Sequence, residues 1–194
     1  MRRVKWILAV VLCLFIVPGV LLARGSKSSK SERLVDSDDY RDKDFVKSGV
    51  ISDYSDMTKG DGVEWMWVDS SVRLSDYKIV LDGNIKNVSE VNSRSLTKDL
   101  TSDFERSYSD RTSGKGTLKA QTAIYWAEKA NEGKSWIPYA GGHLAQAGVG
   151  VEIAFVDGKG RTVAKLRHSA REGSSLDDAS QEAVDDVLKF IDTH

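Results

Sequence analysis

Proton transfer near neutral pH is histidine chemistry, and the sequence offers three: His143, His168 and His194. His143 closes the run Trp-Ile-Pro-Tyr-Ala-Gly-Gly-His (136–143), where two aromatic side chains and a glycine pair precede it. Rings beside an imidazole on a punctuated loop suit ligand contact, so Trp136, Tyr139 and His143 are the candidate binding residues. Paired with a carboxylate such as Asp157, His143 or His168 could serve as an acid/base. For His168 the competing role is that of a histidine at the rim of a core. His194 is the last residue and belongs to no constellation.

Other chemistries lack their residues. The HxH, HxxxH and HExxH spacings of metal sites are absent, and the acidic runs SDYSD and VDSDDYRDKD do not match a calcium loop. The single cysteine, Cys13, lies in an apolar run, so the rest of the chain has no thiolate ligand, internal disulfide or cysteine nucleophile. Neither a phosphate-binding glycine loop nor a GxSxG elbow occurs. The expectation is no catalytic set, no metal and no cofactor.

The chain opens with Arg2, Arg3 and Lys5, runs apolar over 6–23 with a break at Pro18-Gly19, and turns polar at ARGSKSSKSER. That order reads as an export signal over residues 1–24. An apolar run of about 18 residues can also span a bilayer, so an uncleaved N-terminal membrane anchor is the other expectation. Leu12 before Cys13 is not the small residue that lipid attachment needs, so no lipid is expected. The implied location is the periplasm or cell envelope, at the inner membrane if the leader is kept. Beyond residue 24 the body holds 24 basic against 29 acidic side chains, net −5. Such a balance argues against nucleic acid as a partner, because that affinity rests on clustered positive charge.

Residues 25–47 are polar and poor in apolar side chains, which predicts a flexible linker. A single α+β domain is expected over 48–194. VEWMWVD (63–69) and YKIVLDG (77–83) read as strands. Leu96, Leu100, Phe104 and Tyr108 share one face of a helix over about 93–110. Alternation over 117–126 predicts a strand with Leu118, Ala120, Thr122, Ile124 and Trp126 on one side. A long loop over 128–148 follows. GVGVEIAFVDGKGRTVAKLRH (148–168) is a hairpin turning at Asp157-Gly158-Lys159-Gly160. Placing Ile153 opposite Leu166 sets Glu152 among Lys165 and Arg167 on the outer face, where opposite charges support the register. A closing helix begins after Ser174 or Ser175, with Asp177 or Asp178 completing an N-cap signature. The fold class is a two-layer α+β sandwich: a mostly antiparallel sheet of about five strands, with two helices on one face.

SGVISDYSDM (48–57), WVD (67–69), WIPYAGGH (136–143) and the hairpin with its acidic final helix resemble the bacterial domain of unknown function 3313 family. The resemblance spans about residues 48–191 and implies a small exported envelope protein of a kind often lipidated. It supplies no reaction and no site residue. The expected function is non-enzymatic: an envelope protein that binds a protein or envelope component in assembly or maintenance. The alternatives are a periplasmic small-ligand binder using the Trp136–His143 loop and an envelope enzyme using His143 or His168.

Overall fold

The computed structural model describes residues 32–91, 93–110, 114–131 and 145–194. The leader and the candidate residues Trp136, Tyr139 and His143 lie outside them. In chain order the regular elements are α1 (Asp38–Arg41), β1 (Thr58–Lys59), β2 (Trp65–Val68), β3 (Lys78–Leu81), β4 (Lys86–Asn87), α2 (Arg94–Ser109), β5 (Thr117–Glu128), β6 (Ala147–Val156), β7 (Thr162–Glu172) and α3 (Leu176–Thr193). The strands form one sheet in the order β1-β2-β7-β6-β5-β3, and β4 joins the β3 side of β5. All neighbours are antiparallel except β3 and β4, which run parallel to β5. Parallel pairing requires a crossover, and α2 supplies it between β4 and β5.

Among the described residues seven strands replace the expected five. The two extra ones, β1 and β4, are two residues each, too short to show any alternation in sequence. The hairpin takes the expected register, with Ile153 opposite Leu166 and Glu152 opposite Arg167. Charge set that register: a one-residue slip would drive Glu152 into the helix-covered layer.

Both long helices cover one face. Leu96, Leu100, Phe104 and Tyr108 of α2 are buried with Val184, Val187, Phe190 and Ile191 of α3 against Leu118, Ile124, Val151, Ile153, Phe155 and Leu166. Ser93 caps α2 through the Leu96 N–H. At α3, Ser175 and Asp178 form a reciprocal capping box, which satisfies two amides that the helix itself leaves open. His194 is tied down: its carbonyl accepts the Leu74 N–H at 2.8 Å, and its ring lies 4.5 Å from that of Phe190.

The opposite face departs most from expectation. Residues 33–47 were expected as linker, but Leu34 is fully buried, Ser37 caps α1, and Tyr40, Phe45 and Tyr54 make a ring cluster with centroids 4.7–6.2 Å apart. The folded domain therefore includes residues well before Ser48. Few apolar residues suffice here because they meet Trp65, Ile51 and Met57, which the sheet and the next segment supply. Residues 33–57 thus roof the outer face, and Glu152, Arg167 and Lys165 are buried beneath them rather than solvated.

Candidate functional site

A groove of about 460 Å³ opens beside this roof. Its floor comes from β5, β7 and the start of β2. Ile124 pairs with Val151 but Trp126 pairs with Gly150, so Tyr125 is an extra residue, a β-bulge. The bulge swings Trp126 off the core side where simple alternation puts it; Ala127 takes that side instead. Tyr125 and Trp126 then lie across β6 over its two glycines. A Cβ on Gly150 would stand 2.6 Å from Tyr125 Cζ, and one on Gly148 would stand 2.6 Å from Trp126 Cζ3. Glycine here is a requirement of close approach, not of backbone conformation.

Arginines stack on these rings. Arg167 Cζ is 3.5 Å from the Tyr125 centroid and 4.1 Å from that of Phe45, so aromatic surface meets the guanidinium from both rings. Arg171 Cζ sits 4.5 Å from the Trp126 centroid, and its Nη2 donates to Glu128 at 2.7 Å. Under the roof, Arg167 pairs with Glu152 and donates to the Val46 carbonyl at 2.9 Å. Glu152 also accepts from the Ser48 hydroxyl and, at 2.9 Å, from the Tyr54 hydroxyl. Lys165 Nζ donates to Asp56 at 2.8 Å and to the Asp53 carbonyl at 2.9 Å. SGVISDYSDM therefore has a physical role: it delivers the groups that satisfy the hairpin's buried charges.

The groove's rim is acidic. Asp39, Asp42 and Asp44, on α1 and the turn after it, are exposed. Glu64 also lines the groove and accepts from the Ser169 hydroxyl at 2.7 Å. With Arg167 matched by Glu152 and Arg171 by Glu128, the groove is left with these four carboxylates unmatched by a base among its lining residues. An acidic lip over an aromatic floor can hold a partner that brings positive charge and apolar surface together.

Burial lifts two phenols. Tyr54 and Tyr125 are pushed well above their ordinary value of 10, first by burial and then by the Glu152 and Glu64 charges respectively. A raised folded value means that the protonated phenols stabilise the fold below pH 10, and that this contribution is lost as pH rises past 10. Tyrosinate absorbance of Tyr54 and Tyr125 is thus expected only as the protein unfolds. Difference spectra of Tyr54→Phe and Tyr125→Phe check this, and a loss of native-state signal near pH 10 in either variant would contradict it. Gly150→Ala should displace Tyr125 and cost about 1–3 kcal/mol in a denaturant titration. Gly148→Ala should change tryptophan emission by moving Trp126, and an unaltered spectrum would refute the close approach.

Of the two candidate histidines, His143 lies outside the described residues. His168 lies on the helix-covered face, not in the groove, and its Nε2 is 2.9 Å from Asp186 Oδ2 of α3. Asp157 is no partner for it. That carboxylate accepts the Lys159 and Arg161 N–H groups at the hairpin turn, and the Arg161 N–H is the main cause that holds it below the usual range. His168 stands six residues along β7 from the turn-flanking Thr162, roughly 20 Å at strand rise. Among the described residues no group of three His, Cys, Asp or Glu could hold a metal ion, and no helix is long and apolar enough to cross a membrane.

Sequence reading missed Arg167, Arg171, Tyr125 and Glu152 as site residues. One signal was available: glycines at alternate positions 148 and 150 of a strand mark a close approach by something bulky.

No family model matches the chain, and no curated protein matches it significantly. The resemblance to the domain of unknown function 3313 family rests on its quoted residues alone. Among solved structures, the PelC dodecamer from Paraburkholderia phytofirmans, in two crystal forms, is similar at a TM-score of 0.46 and 12% identity, over 66% of this chain and 94% of that one. A candidate lipoprotein from Caulobacter crescentus CB15 is similar at 0.34 and 15%, over 62% of this chain and 90% of that one. Likenesses of this size carry no inference about function.

Proposed function

We propose that this chain is a non-enzymatic, exported protein of the bacterial cell envelope that binds a protein or envelope component in assembly or maintenance. The groove carries this reading: an aromatic floor stiffened by stacked arginines, bases matched from within, and an acidic lip left open. A contact surface needs such a pre-ordered floor, because ordering it on binding would consume affinity. The leader over residues 1–24 supports export, and SGVISDYSDM supports kinship with small envelope proteins. The partner that fits presents basic and apolar groups together.

A photo-crosslinking side chain at Asp42, on the lip, tests the proposal against a control at Gln181, exposed on α3. In intact cells a discrete adduct is expected from position 42 alone, with the chain in the envelope fraction. Identical adducts from both positions, none from either, or the chain free in the cytosol would overturn it.

A further inference from the structure

The two edges of the sheet are finished differently. Beside β1, Arg33 bridges Thr58, the Leu34 N–H donates to the Met57 carbonyl, and the Lys59 N–H donates to the Glu32 carbonyl. That edge is covered. β3 is not. The Lys78 N–H donates to Gly116 and the Asp82 N–H to Ala120, so residues 78, 80 and 82 turn their peptide groups toward β5. The N–H and C=O groups of Ile79 and Leu81 point the other way and have no partner among the described residues. Open edges of this kind are templates for another strand.

We propose that β3 pairs antiparallel with β3 of a second copy of this chain, about a twofold axis at Val80. In that register Ile79 exchanges both N–H···O=C bonds with Leu81 of the second copy, and symmetry repeats the pair. Lys78, Val80 and Asp82 share the face that holds Thr117, Lys119 and Gln121. Lys78 then stands opposite Asp82 of the second copy, Val80 opposite Val80, and Asp82 opposite Lys78. The stretch Lys-Ile-Val-Leu-Asp is self-complementary. Centring the axis on Ile79 would set Lys78 against Val80, and centring it on Leu81 would set Asp82 against Val80; each forfeits both charge pairs.

The local surroundings suit this register. Lys78 is exposed and has no ion-pair partner among the described residues. Asp82 accepts from Gln121 at 3.0 Å and lies 3.4 Å from Lys119, yet keeps 32% of its side chain exposed to receive another donor. On the other face a groove of about 290 Å³ runs between Ile79, Leu81 and the Glu105, Tyr108 and Ser109 side of α2. Leu81 of the second copy, opposite Ile79, lies over it and gives the pairing an apolar contact. This surface is separate from the acidic-lipped groove, so the two proposals stand or fall independently.

Sedimentation of the full chain in density-matched mild detergent provides the test. The native chain is expected at twice its 21.4 kDa mass. Lys78→Asp sets like charges opposite at both ends of the pairing, as does Asp82→Lys, and each variant alone should weaken association about tenfold or more. An equimolar mixture of the two should dimerise again, because every facing pair becomes opposite in sign; this recovery separates lost pairing from lost folding. In a Cys13→Ser background, oxidation should link Val80→Cys into a dimer and leave Lys98→Cys unlinked. A monomeric native chain would overturn the proposal. So would association indifferent to both charge variants, a mixture that stays monomeric, or Val80→Cys linking no better than Lys98→Cys.

Discussion

Replacing Arg167 by methionine should cost about 3–5 kcal/mol of stability, because it strands the fully buried Glu152 carboxylate without a counter-charge. For a chain of this size that is a fall of roughly 6–20 °C in Tm. The Ser48 and Tyr54 hydroxyls would still donate to the carboxylate, but hydrogen bonds alone do not replace a guanidinium in a site closed to water. The sharper expectation concerns the double variant. Adding Glu152→Gln to Arg167→Met removes the stranded charge and keeps an acceptor for both hydroxyls, so the second substitution should restore stability by about 1 kcal/mol or more. Guanidinium titration of the four chains gives the cycle. Losses that simply add would mean that the pair is not what holds the roof to the hairpin.

Leu34→Ala is the second large effect, about 2–5 kcal/mol in the same titration. Leu34 is wholly buried among Ile51, Tyr54, Met57 and Trp65, and its N–H donates to the Met57 carbonyl at 2.9 Å. A residue in a flexible lead-in would instead tolerate the change within about 0.5 kcal/mol. Loosening this anchor should also speed hydrogen exchange across residues 34–57 ahead of the α2 and α3 amides. Uniform exchange in the variant would show that the roof does not open as a unit.

The parts legible in sequence were those that announce themselves over short distances. The Leu96-Leu100-Phe104-Tyr108 spacing marks α2 because a helix repeats its face about every four residues. Ser175 and Asp178 mark the start of α3 by a local exchange of hydrogen bonds. Facing charges at Glu152 and Arg167 mark the hairpin register. The bulge at Tyr125 was hidden, since an extra residue in a strand leaves no trace in composition and inverts the alternation after it. Trp126 therefore changes sides, and the groove floor with it. Glycines 148 and 150 were the one legible hint of that floor.

By itself the sequence determined the two long helices, the hairpin with its register, and the α+β class, all consequences of side-chain periodicity among near neighbours, but not α1. Tertiary structure alone decided that the charged face of the hairpin is an interior. Glu152 is buried because Ser48, 104 residues away, and Tyr54, 98 residues away, close over it. Whether a charge is solvated or entombed depends on what covers it, and covering groups from so far along the chain leave no periodic signature beside the residue they bury.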